Sequence, residues 1–309
     1  MIYDLIIIGG GPGGITSGIY AGRQGLKTLL ITKDFGGQIA KKGINIENWP
    51  GNKSISGQQL IKNFVDHLKE QKEVEIKFSS VIKVEKDNKN FIVLTSDNKK
   101  FKSLSVIIAI GTELKHLNIL GEEKFKGRGV SYCSICDGPL FKNKNVAVIG
   151  GGNSGFETSL FLSKYAKKIY ILEYFSNVNA DKKNQELVKK NKKIKIITNA
   201  KVKEIKGNNF VEELVYDDLK DKKTKRLKIE GVFIQIGCEP KTSIVESLVD
   251  LNEKKEIEVN HFNLQTKTPG LFAIGDVNSG KYKQIVIAAG EGAKATLFAC
   301  QYLKENKLS

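Results

Sequence analysis

In the stretch LIIIGGGPGG, residues 5–14, an apolar run typical of a buried strand leads directly into a glycine-rich turn. It is followed by ITSGIYAGRQG, residues 15–25, and then by a second apolar strand, KTLLIT, residues 27–32. Gly9, Gly11 and Gly14 have the spacing of a turn whose backbone approaches a pyrophosphate at the N-terminus of a helix. This order of elements predicts a dinucleotide-binding βαβ unit at the start of the chain.

The same pattern recurs in the middle of the chain, in NVAVIGGGNSGFETSLFLSKYAKKIYILE, residues 145–173. Gly150, Gly152 and Gly155 occupy the corresponding positions of its turn. Two such units predict an α/β protein with two Rossmann-like domains. A second interpretation stays open, in which the second glycine turn is only a feature of the fold and binds no nucleotide.

Two further stretches bear on nucleotide binding. The second strand lacks the usual acidic residue at its end, so Thr32, Asp34 or backbone groups are expected to hold the ribose instead. Near the C-terminus, an apolar strand ends in Gly275 and Asp276, whose carboxylate can accept a hydrogen bond from a ribityl or ribose hydroxyl. Gln284 then begins a helix of small residues, whose first amides can face an electron-rich ring.

The composition narrows the class of protein. The chain has 309 residues, is 40% hydrophobic and contains four cysteines, so two domains with real cores are expected. Its apolar start lacks the basic residues of a signal peptide, and nothing indicates a membrane span, which predicts a cytoplasmic protein without a stable disulfide scaffold.

The net charge is +16, from 50 Lys and Arg against 34 Asp and Glu. Only Arg23, Arg128 and Arg226 are arginines. An AT-rich genome that places Lys at exposed positions is the first explanation, and a docking field for an acidic partner is the second. Nucleic acid is not expected, because the lysines are not interleaved with aromatic residues and no nucleic-acid motif accompanies them.

The stretch SYCSICDGPL, residues 131–140, places Cys133 and Cys136 two residues apart. A structural zinc site needs four ligands, and neither the distant Cys238 and Cys300 nor any nearby histidine completes a set, so no metal is expected. A pair of inert buried thiols is the simplest alternative. A redox disulfide is favoured, because this spacing brings both sulfurs to the start of a helix turn, where a thiolate is stabilised.

Around this pair, roles follow from the chemistry of thiol–disulfide exchange. One thiolate attacks a partner disulfide and the other resolves it. Asp137 is expected to act as acid or base, to cap the following turn, or both. Cys238 and Cys300 are interpreted as structural. No chemical role is assigned to the isolated histidines, which are His67, His116 and His261.

These motifs resemble those of the low-molecular-weight thioredoxin reductase family of flavin disulfide reductases, in order and over nearly the whole chain. They are GGGPGG (9–14), GGQIAKKGINIENWPG (36–51), AIGTELKHLNILGEEKFKGRGVSYCSICDG (109–138), VAVIGGGNSGFE (146–157), and PGLFAIGDV with KQIVIAAGEG (269–277 and 283–292). The resemblance implies an FAD-binding domain of residues 1–114 and 239–309. A smaller pyridine-nucleotide-type domain, residues 115–238, interrupts it and carries the cysteine pair. The crossings are expected near Gly111–Leu117 and Gln235–Cys238.

The resemblance also implies thioredoxin as the protein substrate, a homodimer, and FAD as the cofactor. The implied cofactor contacts come from the first glycine turn, the loop after the second strand (Gly37 and Gln38), the IENWPG stretch, two strand ends and the C-terminal motif. They are Gly9, Gly10, Gly11, Pro12, Gly13, Gly14, Thr32, Gly37, Gln38, Asn48, Val81, Ala109, Gly111, Gly275, Asp276, Gln284 and Ile285.

The electron donor is the point where the sequence departs from the family. Family members usually hold the 2′-phosphate of NADPH with an arginine cluster, and here Glu173, Tyr174, Phe175 and Asn179 occupy those positions. A phosphate beside Glu173 would meet repulsion and no bidentate partner, so NADPH is disfavoured.

Three donor or acceptor schemes stay open. The ferredoxin-dependent flavin thioredoxin reductases also lack the arginine cluster, and the basic chain suits an acidic ferredoxin, so ferredoxin is ranked first. NADH, or NADPH used weakly, is ranked second, and NADH is supported because Glu173 sits where a carboxylate binds a ribose 2′-hydroxyl. A related dithiol oxidase that passes electrons to oxygen is the third.

Overall fold

The computed structural model describes residues 1–41 and 45–306. The chain divides into two compact units, one of Met1–Glu113 with Glu239–Ser309 and one of Leu114–Cys238. Among the described residues, no helix combines the length and the apolar character that crossing a bilayer requires.

The first unit begins with a segment rich in β-structure. Its elements are β1 (Ile2–Ile8), α1 (Pro12–Arg23), β2 (Thr28–Thr32), α2 (Gly37–Lys41), β3 (Asn45–Ile46), β4 (Ile55–Ser56), α3 (Gly57–Lys69), β5 (Val74–Phe78), β6 (Val81–Asp87), β7 (Asn90–Thr95), β8 (Lys100–Ile108) and β9 (Glu113–Leu114).

The second unit follows, and the chain then returns to the first. The elements of the second unit are β10 (Val130–Ser131), α4 (Ser134–Asp137), β11 (Asn145–Ile149), α5 (Asn153–Leu162), β12 (Lys168–Leu172), α6 (Lys182–Lys190), β13 (Ile194–Ile197), β14 (Ala200–Gly207), β15 (Val211–Asp218), β16 (Lys223–Lys228), β17 (Gly231–Ile234) and β18 (Cys238–Glu239). The returning segment contributes β19 (Leu271–Ala273) and α7 (Ile285–Glu305).

In the first unit, strands from both chain ends build one sheet. The parallel strands run in the order β5-β2-β1-β8, and β19 adds parallel to the C-terminal half of β8. The N-terminal half of β8 pairs antiparallel with β7, which continues to β6. Because β1 is central, the glycine turn that follows it opens at the carboxyl edge of the sheet, where ligands of such sheets bind.

Strand β1 shows why this sheet forms. From Leu5 to Ile8 it is apolar on both faces, as a central parallel strand requires. Leu5 and Ile7 pack into the cluster under α1 and α7, whereas Ile6 and Ile8 pack into the cluster on the opposite face. All four side chains are buried. If β1 shifted by one residue against its neighbouring strands, apolar side chains would still fill both cores, but the glycine turn would move.

Helices α1 and α7 approach closely through small residues. A Cβ on Gly292 of α7 would overlap the carbonyl oxygen of Gly13 in α1. The hydroxyl of Ser17 donates to the carbonyl of Gly292 at 3.1 Å. This packing explains the run of small residues in the C-terminal helix and fixes its first turn beside the first glycine turn.

The second unit repeats the Rossmann pattern with a purely parallel sheet in the order β10-β17-β11-β12-β13. Along β11, Ala147 and Ile149 face one core, and Val146 and Val148 face the other. A separate antiparallel sheet, β14-β15-β16, has two register irregularities in its first pair.

Candidate active site

The two cysteines of the SYCSICDGPL stretch form a disulfide in the second unit. Their Cα atoms lie 5.4 Å apart. Cys133 is the N-cap residue of the short helix α4, and the backbone N–H of Cys136 donates to its Sγ at 3.2 Å. Cys133 is half-buried and Cys136 is exposed, so Cys136 is the more accessible residue of the pair.

Asp137 is bound to the strand before the cysteines. Its Oδ2 accepts a hydrogen bond from the hydroxyl of Ser131 at 2.6 Å, and that hydroxyl accepts one from the N–H of Cys133 at 3.0 Å. Asp137 occupies the N-cap position of the turn Gly138–Phe141, but its side chain makes no capping hydrogen bond. The expectation that Asp137 caps this turn is therefore wrong, because the carboxylate is engaged by Ser131 instead.

A buried carboxylate lies beside the same strand. Glu122, 4% exposed, accepts from the hydroxyl of Tyr132 at 2.5 Å and from the N–H groups of Leu117 and Asn118 at 3.0 and 2.6 Å. Burial acts to raise the pKa of Glu122, but the hydrogen bonds from Tyr132 and the backbone outweigh it and hold the pKa below its ordinary value. Burial and the Glu122 carboxylate both raise the pKa of Tyr132.

The remaining cysteines and histidines differ in part from the expectations. His116 is not isolated, because its Nδ1 lies 2.8 Å from the Tyr132 hydroxyl and 3.3 Å from Glu122 Oε1. Cys300 is buried in α7, but Cys238 is exposed, so only Cys300 resembles an inert core thiol. Within residues 1–41 and 45–306, no group of three or more His, Cys, Asp and Glu could hold a metal ion.

A cavity of about 520 Å³ in the first unit opens around the first glycine turn. It is lined by the turn itself, the end of β2, the start of α2, the end of β8, and the segment that enters α7. The residues that were expected to contact the cofactor and that line it are Gly9, Gly10, Gly11, Pro12, Gly13, Thr32, Gly37, Gln38, Val81, Ala109, Gly111, Gly275, Asp276, Gln284 and Ile285.

Two expected contacts lie elsewhere, and two others lie in an unexpected element. Gly14 is under the turn, where a Cβ would overlap the carbonyl oxygen of Gly9, so its role is packing. Asn48 donates to Gln284 Oε1 at 3.0 Å and reaches the cavity through that side chain. Gly37 and Gln38 were expected in a loop, but they begin the short helix α2.

The turn fits a bound pyrophosphate. Gly9 has φ +116°, and a Cβ there would overlap the Ala109 carbonyl, so the sharp bend requires glycine. Gly11 differs, because no protein atom lies within 4 Å of the place where its Cβ would stand. Protein packing therefore does not explain the glycine at position 11, whereas the close approach of a phosphate group does.

Several residues that line the cavity belong to no recognisable sequence motif. Ser79, Ser80, Ser243 and Ile244 also line the cavity. Thr32 donates its hydroxyl to the carbonyl of Asp34 at 2.6 Å, and both residues line the cavity at the end of β2. The serines lie in connections between strands, where hydroxyl residues are too common to indicate a site.

The second glycine turn has a carboxylate at its side. Glu173, at the end of β12, accepts from the N–H of Gly151 at 2.5 Å and from the N–H of Phe175 at 3.0 Å. As in the first unit, nothing lies within 4 Å of a Cβ placed on Gly152, whereas one placed on Gly155 would overlap the Gly150 carbonyl. The two turns are therefore built alike.

Comparison with known proteins finds relatives over nearly the whole chain. A protein of Staphylococcus epidermidis named as a component of alkyl hydroperoxide reductase is 37% identical over 304 residues, with 98% of this chain and 60% of that protein covered. "NADH dehydrogenase" of Bacillus subtilis is 37% identical over 305 residues, with 98% and 59% covered. The chain thus spans about three-fifths of the length of these relatives.

Among solved structures, thioredoxin reductase of Lactococcus lactis is 34% identical, with 98% of this chain and 99% of that chain covered and a TM-score of 0.86. A ferredoxin-flavin thioredoxin reductase of Clostridium acetobutylicum is 29% identical, with both chains fully covered and a TM-score of 0.57. These likenesses confirm the prediction of an α/β protein with Rossmann-like domains.

The family model of the pyridine nucleotide-disulphide oxidoreductases matches residues 3–292. Proteins of this family and the thioredoxin reductases are FAD-binding flavoproteins, which confirms FAD as the cofactor. With two glycine turns, a cavity around the first of them and a disulfide between Cys133 and Cys136, the chain belongs to the pyridine nucleotide-disulphide oxidoreductase family.

Proposed function

We propose that this chain is a disulfide reductase that transfers electrons through its Cys133–Cys136 pair to a thioredoxin-type protein. The observation that carries the proposal is the disulfide itself, which joins the half-buried N-cap residue of a four-residue helix to an exposed cysteine within that helix. A scaffold disulfide would join distant parts of the chain, whereas this one closes a loop too short to add much stability.

The exchange reaction uses both sulfurs. In the reduced pair, one thiolate attacks a sulfur of the partner disulfide, forms a mixed disulfide and releases a partner thiolate. The second cysteine attacks the mixed disulfide, so the enzyme disulfide re-forms and the partner leaves as a dithiol. The N–H of Cys136 lies near enough to Cys133 Sγ to stabilise a thiolate there, and Asp137 is the proposed proton donor to the released thiolate.

FAD, when bound, supplies the two-electron carrier between the donor and the disulfide. Residues of the first unit would hold FAD through the close approach of their backbone and through a carboxylate. We assign its pyrophosphate to Gly9–Gly13 at the start of α1, and its ribityl chain to Asp276. The remaining proposed contacts are Thr32, Gly37, Gln38, Asn48 through Gln284, Val81, Ala109, Gly111, Gly275, Gln284 and Ile285.

NADH is the donor that the second glycine turn supports best. The Glu173 carboxylate borders that turn through Gly151, in the position of an acidic residue that binds an unphosphorylated ribose. A relative named "NADH dehydrogenase" aligns over 98% of this chain. On these two observations we propose NADH first, whereas the sequence alone ranked ferredoxin above NADH.

Reduced ferredoxin is the second candidate. Its support is the net charge of +16, the absence of an arginine cluster from positions 173–179, and the likeness to a ferredoxin-flavin thioredoxin reductase. A cytoplasmic location and a homodimer stay predictions from the sequence and the family.

The test of the donor is anaerobic stopped-flow absorbance of the FAD-loaded protein mixed with NADH, NADPH or chemically reduced ferredoxin. We expect NADH to bleach the flavin rapidly and saturably, and NADPH to do so far less efficiently. Glu173→Ala should weaken the response to NADH, with Glu157→Ala in the same unit as the matched control. Rapid bleaching by ferredoxin alone would reject NADH and establish the second candidate.

A further inference from the structure

Two exposed aromatic side chains follow β12 in the second unit. Tyr174 is 52% exposed and Phe175 is 65% exposed, and their rings meet edge to face with centroids 5.2 Å apart. By contrast, Phe125, Phe156 and Phe233 of the same unit are fully buried. The packing of this unit therefore does not account for the two rings at the end of β12.

Backbone contacts place the pair at the carboxyl edge of the parallel sheet. The Glu173 carboxylate bridges the N–H of Gly151, in the glycine turn, and the N–H of Phe175. The carbonyl of Phe175 accepts from the N–H of Asn199, which follows β13. The pair thus stands over the end of β12, between the turn that follows β11 and the end of β13, where such sheets bind nucleotides.

The Glu173 carboxylate at this edge favours a ribose without a 2′-phosphate. An ionised carboxylate has about four acceptor positions, so the two N–H groups that Glu173 binds leave capacity for ribose hydroxyls. A 2′-phosphate would be repelled by the same group, and none of the three arginines of the chain lies in residues 173–181. The site therefore favours a nucleotide whose adenosine ribose carries free hydroxyls.

We infer that Tyr174 and Phe175 form a stacking platform for the adenine of that nucleotide. The inference rests on the proposed use of NADH and adds the adenine contact to it. A base gains affinity from the face of an aromatic ring without hydrogen-bond readout, and an edge-to-face pair holds one ring in place for such a contact. The aromatic pair thus takes over the anchoring that an arginine cluster gives to a 2′-phosphate.

The test compares ligands that have or lack adenine. ADP-ribose, which cannot react with the flavin, is titrated calorimetrically into the FAD-loaded wild type and into Tyr174→Leu/Phe175→Leu, which keeps apolar area but removes both ring faces. Phe210→Leu is the matched control, because Phe210 is 63% exposed in the β14–β15 turn of the same unit. Steady-state rates with NADH and with reduced nicotinamide mononucleotide, which lacks adenosine, complete the set.

We expect the double variant to raise the dissociation constant of ADP-ribose and the KM of NADH about tenfold, a change of ~1.4 kcal/mol. Its kcat with NADH and its kcat/KM with the mononucleotide should match those of the wild type, as should every value for Phe210→Leu. Equal ADP-ribose affinity in the wild type and the double variant would overturn this inference alone. A wild type that binds neither ADP-ribose nor NADH would overturn the donor proposal as well.

Discussion

At the scale of single residues, Ser131 joins the strand before the cysteines to Asp137. One hydroxyl contacts both the carboxylate of Asp137 and the N–H of Cys133. Six positions separate Ser131 from Asp137, and only the reversal of the chain through α4 brings them together. A sequence pattern indicates the two cysteines and the aspartate, but it does not indicate which side chain the carboxylate binds.

The cysteine pair gives the first prediction. Cys133→Ser and Cys136→Ser should each abolish reduction of a thioredoxin-type partner, because exchange needs one sulfur to attack and one to resolve. FAD absorbance should stay unchanged in both variants. Cys300→Ser, at a buried thiol outside the pair, is the control and should keep full activity in a partner-thiol assay. Normal turnover by Cys136→Ser would show that the disulfide is structural.

Glu122 gives the second prediction. Glu122→Gln should lower the free energy of unfolding at pH 7 by about 1–3 kcal/mol, because an amide has one acceptor oxygen where the carboxylate offers two to buried donors. The folded-state pKa of Glu122 lies below its ordinary value of 4.5, so its stabilisation is present above that pH and is lost as pH falls through the folded pKa.

Urea unfolding of both proteins at a series of pH values measures this difference. The gap between wild type and Glu122→Gln should narrow as the pH is lowered below 4.5. Glu123→Gln is the adjacent control, because the Glu123 side chain is 79% exposed. A gap that stays constant down to strongly acidic pH would contradict the assigned cause.

At the scale of elements, each of the two glycine turns has one glycine that protein packing requires and one that protein packing does not explain. In the first turn, a Cβ on Gly14 meets the Gly9 carbonyl, whereas a Cβ on Gly11 meets no protein atom within 4 Å. Gly14→Ala should therefore lower the free energy of unfolding of the apoprotein by at least about 2 kcal/mol. Gly11→Ala should leave apoprotein stability unchanged and weaken FAD binding at least about tenfold, which is ~1.4 kcal/mol.

Chemical unfolding of the apoprotein and fluorescence titration with FAD check these two variants together. Gly25→Ala does not serve as a control, because Gly25 has φ +69° and any side chain there is strained. Gly152→Ala is the better comparison, since it lies in the equivalent open position of the second unit and should not change FAD affinity. Equal FAD affinity in Gly11→Ala and the wild type would remove the pyrophosphate from this turn.

Elements whose sequence patterns lie within a short stretch of chain could be predicted, whereas contacts between distant residues could not. The strand, turn and helix around Gly9–Gly14 follow from local apolar runs and glycine spacing, and the structure has them at Ile2–Ile8 and Pro12–Arg23. The Glu122–Tyr132–His116 cluster was missed, because two members lie in the connection between β9 and β10, the third directly follows β10, and they meet only in the folded unit. The exposure of Cys238 was missed for the same reason, since burial depends on neighbours that are distant in sequence.

At the scale of the whole molecule, the positive charge is uneven. In the second unit, Lys and Arg outnumber Asp and Glu by 25 to 14, which is most of the excess of the chain. Several lysines of β14–β16 are neutralised by ion pairs, including Lys203 with Asp217 and Lys225 with Asp218. Those of α6 and the following turn have no ion pair among the described residues and present free charge: Lys182, Lys183, Lys189, Lys190 and Lys192.

This distribution gives a prediction about salt. The kcat/KM for an acidic thioredoxin-type partner should fall as ionic strength rises from about 0.01 to 0.15 M, because the screening length shortens from about 30 to 8 Å. The rate with a small neutral disulfide should stay constant over the same range and serves as the control. A partner rate that is insensitive to salt would show that the lysine excess does not assist docking.

The most direct test of the proposed disulfide reductase is the yield of partner thiol per donor consumed without oxygen. FAD-loaded protein, limiting NADH and excess oxidised thioredoxin are mixed anaerobically, and free thiols are counted after NADH is exhausted. We expect two thioredoxin thiols for each NADH in the wild type and none with Cys136→Ser. NADH consumption that yields no thiols, or that requires oxygen and produces hydrogen peroxide, would contradict a disulfide reductase.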